Sequence, residues 1–214
     1  MRARRQHELR PRRRPSQARS RETVAAIVEA AARIFAAEGY AGATTNRIAE
    51  AAGVSVGSLY EYFPNKDALL VALIEAHVAE GQALLDEAAT EVMARALPLP
   101  AAVRRLVDAM IALHARNRAL HRVLFDEAPL PPRVRRQVDA AEEAIAARIA
   151  GYLRERPEVT VPDPALAAAV VVQAVEAVVH RLVVHGDERQ LAAQARELVA
   201  LVVSYLTADR RRLS

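Results

Sequence analysis

Between Thr44 and Leu70 the chain reads TTNRIAEAAGVSVGSLYEYFPNKDALL, and the order of its polar, apolar and glycine positions sets the architecture. Thr44 stands as N-cap before a helix over 45–52, with Ile48, Ala49 and Ala52 turned inward and Arg47 and Glu50 outward. Gly53 ends that helix, Val54 folds back onto it, and Ser55 caps a two-turn helix over 56–62. Two short helices joined by a glycine-containing turn make a helix-turn-helix. Its second helix must offer a small, polar outer face to a groove about 12 Å wide. Leu59 and Phe63 point inward, which leaves Ser55, Val56, Gly57, Ser58, Tyr60 and Tyr62 for the outside. The serine hydroxyls can meet any base edge, Val56 a thymine methyl, and Gly57 admits close backbone approach. Tyr60, Tyr62 and Lys66 have tips suited to phosphates, and the amide end of helix 45–52, with Thr44 and Thr45, faces a further phosphate.

Upstream, Val24, Ile27, Val28, Ala31, Ile34 and Phe35 fall on one stripe of an amphipathic helix over 22–38, which Gly39 stops. Downstream, proline clusters at 98–100, 129–132 and 157–164 punctuate long apolar-periodic segments. Helices are expected over 22–38, 45–52, 56–62, 66–95, 101–115, 118–127, 132–155, 164–185 and 188–207. With 47 Ala and 7 Gly among 214 residues, the fold class is all-α, with about nine helices. The expected division is an Arg-rich disordered arm over 1–19, a DNA-binding head over 20–65 and a larger helical domain over 66–210.

Charge is unevenly distributed. The first 21 residues carry nine Arg against Glu8, net +8, whereas residues 22–66 and 67–214 each sum to −2. Arg12, Arg13, Arg14, Arg19 and Arg21 are therefore expected to run along a DNA backbone. The absence of cysteine excludes disulfides, thiol nucleophiles and Cys-ligated metal sites and suits a reducing, cytoplasmic setting. No apolar region of a secretory signal follows the basic run. The most apolar stretch, 165–184, is interrupted by Gln173, Glu176, His180 and Arg181, so no membrane span is expected.

The run from Thr44 to Leu70, with the helix ending Phe35-Ala36-Ala37-Glu38-Gly39-Tyr40, resembles the DNA-binding region of the tetracycline-repressor family of bacterial transcription regulators. The pattern T-x-x-x-I-A-x-x-A-G-V-S-x-G-x-L-Y-x-Y-F-x-x-K-x-x-L is matched throughout, and the resemblance covers about residues 20–70. It implies a homodimer on a palindromic double-stranded operator, with a C-terminal domain that dimerises through its last two helices and holds a small-molecule effector. It also implies DNA contacts at Thr45, Asn46, Val56, Gly57, Ser58, Tyr60, Tyr62 and Lys66; Thr44, Arg47 and Ser55 complete the expected set. Glu61 departs from the needs of a phosphate-facing helix, and the acidic balance of the head leaves non-specific attraction to the arm.

Helices 164–185 and 188–207 are apolar over most of their circumference, so Val171, Val175, Val178, Leu182, Leu198, Val202 and Leu206 are expected at the dimer interface. Over 101–127 an apolar stripe turns polar at its centre, which nominates Met110, His114, Asn117, His121 and Phe125 for an effector pocket, with Gln173, Glu176 and His180 from the later helix. Glu176 and His180 share a face at i, i+4, but two ligands do not make a metal site, so no metal and no cofactor is expected. There is no Glu-x-x-His pair, Gly-rich phosphate loop or H-E-x-x-H, so no enzyme is expected. The function expected is a repressor released from its operator by a small, largely apolar effector; the alternatives are a dimeric regulator with no small-molecule ligand and, more remotely, a helical enzyme.

Overall fold

The computed structural model describes residues 18–128 and 131–208. Nine α-helices lie among the described residues: α1 (Ala18–Gly42), α2 (Thr45–Ala51), α3 (Val56–Tyr62), α4 (Lys66–Ala94), α5 (Leu99–Ala115), α6 (Arg118–Arg122), α7 (Pro132–Arg154), α8 (Pro164–Val184) and α9 (Glu188–Thr207). No described residue is in a strand. The helices follow the sequence expectation, with one difference. The segment expected as a single helix over 118–127 is α6 followed by a π-helical turn, Val123–Glu127, closed by the Ala128 amide donating to the Val123 carbonyl at 3.0 Å.

The chain forms two compact units. The first runs to His77 and takes in Ala119–Val134; the second holds Val78–Arg118 and the residues from Arg135 on. The division therefore falls inside α4 rather than at residue 65. Ala68, Leu69 and Leu70, in the first turns of α4, are buried with the head, and the π-turn packs on α1.

In the first unit, α1 buries Ile27, Ala31 and Phe35 on one stripe. Ile48 and Ala49 of α2 and Leu59 of α3 have no exposed surface, and Phe63 has almost none. Gly39 does interrupt α1, with φ +71 and ψ 174, before a last turn ends at Gly42. A side chain at Gly39 would come within 2.9 Å of Glu127 Oε2, so this glycine answers both a backbone conformation and a close approach.

In the second unit, α5, α8 and α9 pack on one another around Leu99, Val103, Val107, Val175, Val179, Val183, Leu198, Val202 and Leu206. Asp163 caps α8 by accepting from the amides of Ala165 and Leu166 at 2.9 and 3.0 Å, and Asp187 caps α9 through Arg189 at 2.9 Å. The Thr160 amide donates to Leu206 O at 2.9 Å and fastens the connection before α8 to the end of α9.

By length and composition alone, α4 and α8 are long and apolar enough to cross a bilayer, a test that the core helices of a folded domain also pass. In α4 much of that apolar surface is core, including Leu73 and Ile74, while α8 carries Glu176, His180 and Arg181 in its second half.

Gly53, between α2 and α3, has φ +67 and nothing within 4 Å of where a Cβ would stand. Gly53→Ala therefore adds only backbone strain, about 1 kcal/mol. The melting temperature is expected to fall by about 2–4 °C; an unchanged value would contradict the left-handed turn.

Candidate nucleic-acid interface and the polar centre of the second unit

Two hydroxyl caps set up the helix pair. Thr44 Oγ1 accepts from the Arg47 amide at 3.3 Å and starts α2; Ser55 Oγ accepts from the Ser58 amide at 3.0 Å and starts α3. Because Leu59 is buried, the other side of α3 faces out: Ser55, Val56, Gly57 and Tyr60 are exposed and Ser58 is half-buried, its hydroxyl 2.9 Å from that of Ser55. Val56 and Tyr60 are 37% and 39% exposed, large apolar surfaces that the chain's own core leaves uncovered. Thr45 Oγ1 and the Tyr60 hydroxyl lie 2.9 Å apart and join α2 to α3 along this face. Asn46 and Arg47 extend it; Arg47 pairs with Glu38 at 2.9 Å while its side chain stays 61% exposed. Glu61 is exposed. Small hydroxyls, an apolar β-branched group, a glycine and a ring of long polar tips thus share one surface.

Two expected contact residues are held elsewhere. Tyr62 is buried rather than outside, and its hydroxyl lies 2.9 Å from Ser20 Oγ, where it ties α3 to the start of α1. Tyr62 follows Leu59 by three residues and Phe63 follows it by four, so all three share the core side of the helix. Lys66 is half-buried; its ammonium donates to the Tyr40 carbonyl at 2.7 Å and sits 4.3 Å over the Tyr40 ring. The Tyr40 hydroxyl in turn donates to Asp67 at 2.5 Å, and burial, reinforced by that hydrogen bond and the charge of Asp67, holds this phenol well above the usual tyrosine range. Sequence reasoning missed this Tyr40–Lys66–Asp67 group, because nothing in local spacing links residue 40 to residues 66 and 67. Arg12, Arg13 and Arg14 lie outside the described residues, as does the side chain of Arg19; Arg21 is exposed on α1.

The residues nominated for a pocket divide between the units. In the first, His121 packs its ring on Phe125 (centroids 4.6 Å apart) and edge-on to His77 (4.8 Å). In the second, His114 is 1% exposed; its Nδ1 meets the Met110 carbonyl at 2.9 Å and its Nε2 lies 3.3 Å from Glu176 Oε1. The His180 ring is edge-on to His114, centroids 6.0 Å apart. Burial, then the charges of Glu176 and Asp139, pushes the Glu142 carboxyl above the usual range. Met110 packs against the core of this unit, whereas Asn117 and Gln173 are exposed.

The expected interface residues need correction. Val175, Leu198, Val202 and Leu206 are consumed by the chain's own core, Val171 and Leu182 are half-buried, and only Val178 is exposed. The large apolar side chains left in solvent on α8 and α9 are Leu166, Val170, Val178 and Leu201. Both helices are apolar on several sides, so spacing alone cannot say which stripe stays within the chain.

Comparison with known proteins gives a consistent outcome. Residues 27–73 match the family described as bacterial regulatory proteins, tetR family, and residues 98–206 match the tetracyclin repressor-like, C-terminal domain. The HTH-type transcriptional repressor AcnR of Corynebacterium efficiens is 47% identical over 47 residues, 22% of this chain and 25% of AcnR. AcnR of Corynebacterium glutamicum is 39% identical over 61 residues, 28% and 32% of the two chains. The chain thus matches between a quarter and a third of the length of these curated relatives. A putative TetR-family transcriptional regulator from Mesorhizobium loti superposes with TM-score 0.71 at 21% identity, over 90% of this chain and 98% of that one. FadR from Bacillus subtilis, solved in complex with stearoyl-CoA, gives 0.68 at 20% identity, over 85% and 98%. Likeness at these identities is a likeness of fold.

The two tyrosines of α3 make opposite predictions. Tyr62→Phe removes the bond to Ser20 and is expected to cost about 1 kcal/mol, whereas Tyr60→Phe, on the exposed face, should stay within about 0.5 kcal/mol of the parent. Chemical denaturation measures both; equal destabilisation would contradict the inward placement of Tyr62.

Proposed function

The chain belongs to the tetracycline-repressor family of bacterial, DNA-binding transcription regulators, and from that premise we propose that it is a homodimeric repressor of a palindromic operator, released by a small, largely apolar effector. The observation that carries the reading is the outer face of α3. Ser55, Val56, Gly57, Ser58 and Tyr60 offer three hydroxyls, a methyl surface and close backbone approach, next to Thr44, Thr45, Asn46 and Arg47 of the α2 end for phosphates. The curated relatives that match this part of the chain are repressors. Lys66 reaches a phosphate in this reading only by leaving the Tyr40 carbonyl.

Dimerisation is assigned to the solvent-facing side of α8 and α9, through Leu166, Val170, Val178 and Leu201. Four large apolar groups on two neighbouring helices favour a four-helix contact about a two-fold axis. The effector would enter the helical unit built by α5, α8 and α9, and a relative of the same fold holds stearoyl-CoA, a ligand with a long apolar chain. Because α4 runs unbroken from Lys66 to Ala94, a shift of its later turns is carried to the DNA end. Release then follows from tighter effector binding to the dimer whose heads no longer match half-sites one helical turn, about 34–36 Å, apart.

Two measurements check this. Removing residues 1–16 and measuring operator affinity over a range of salt concentrations should flatten the log–log salt dependence by about 0.9 for each phosphate the arm neutralises, several in all; an unchanged slope would refute a role for the arm. Leu201→Glu puts a carboxylate on the proposed dimer surface and should give a helical monomer at micromolar concentration by light scattering. A retained dimer would contradict the assignment.

A further inference from the structure

His114, on α5, and Glu176 and His180, on α8, bring their ligand atoms within 4.8 Å of one another inside the second unit. The pair on α8 is legible in the sequence, since i, i+4 spacing sets both side chains on one face. The third group is 62 residues away from Glu176 and arrives only because α5 packs on α8.

The hydrogen bonding of His114 specifies what this cluster wants. Its Nδ1 lies 2.9 Å from the Met110 carbonyl, which can only accept, so Nδ1 carries the proton. In the neutral ring Nε2 then turns its lone pair toward Glu176 Oε1 at 3.3 Å, one acceptor against another. A cation between them reconciles the two. A metal ion does so and takes a nitrogen of His180 as well, which one proton shared by two atoms cannot do. The distance agrees: ligands about 2.0–2.1 Å from a tetrahedral zinc ion stand roughly 3.3–3.4 Å apart. An imidazole that ligates through one nitrogen while the other donates to a backbone carbonyl is also the usual way such a ligand is oriented. Glu142, close enough to Glu176 for their charges to act on one another, adds negative charge beside the cluster.

We propose that His114 Nε2, Glu176 and His180 hold a divalent first-row transition-metal ion of the zinc class. Two imidazoles and one carboxylate suit zinc, cobalt, nickel or ferrous iron, and not calcium or magnesium, which take oxygen ligands. Burial differs along the set: His114 is enclosed, while Glu176 and His180 are half-buried. The site stands independently of which effector the regulator takes.

The test uses the full-length, chelator-treated protein with any affinity tag removed, titrated with Co2+ alone and then with Zn2+ in competition. One Co2+ per chain is expected, with the intense visible absorption of four-coordinate cobalt, bleached by one equivalent of Zn2+. Glu176→Gln and His180→Ala, both at half-buried positions, should each weaken binding at least tenfold, and the double variant should abolish the visible band, with circular dichroism confirming that the helices persist. His7→Ala should leave binding unchanged. Sub-stoichiometric binding, a six-coordinate cobalt spectrum, or affinity that survives in the Glu176→Gln/His180→Ala double variant would overturn the assignment. DNA binding is not part of the readout, so its failure and that of the metal site are separable.

Discussion

Ile48, Ala49 and Leu59 are wholly withdrawn from solvent, together with Ile27, Ala31 and Phe35 of the long first helix, and the rest of the head follows from that burial. Two helices of seven residues each are too short to persist alone. They exist because hydroxyl caps at Thr44 and Ser55 satisfy their first amides and because their apolar sides have a partner. Fixing Leu59 inward fixes Val56 and Tyr60 outward, so the surface proposed to meet DNA is the complement of the core rather than a separate feature. The left-handed turn at Gly53 sets the angle between the two helices at no steric cost.

Most of this was legible in the residues. Caps, glycine stops and proline clusters carry short-range information, and the helices begin and end close to where those signals stand. What was not legible depends on contacts between distant residues. Tyr62 could have been read from its spacing to Leu59, since three residues along a helix return to the same face; its hydroxyl partner Ser20, 42 residues earlier, could not. Lys66 looks like a free cation in sequence, yet the end of α1 and the Tyr40 ring supply it with partners inside the head. On α8 and α9 the difficulty is different in kind: valine, leucine and alanine occupy several stripes, and only packing decides that Leu198, Val202 and Leu206 go inward while Leu201 stays out.

The polar positions on α5 and α8 belong to the same lesson. Buried polar groups in an otherwise apolar helical unit need partners; the Met110 carbonyl accepts from His114 Nδ1, and Nε2 faces Glu176. A stripe that read as one candidate pocket over residues 110–125 is divided by the break after Ala115, with His121 and Phe125 stacking against His77 in the first unit and His114 facing α8 in the second.

The exposed face of α3, reading DNA as one half of a two-fold assembly, is the centre of the proposed function. Selection of bound duplexes from a random library by the full-length protein tests it directly. A palindromic motif whose half-sites are centred about 34–36 Å apart, one helical turn, is the expected result. Recovery of no enriched sequence, or of a single unpaired site, would contradict it.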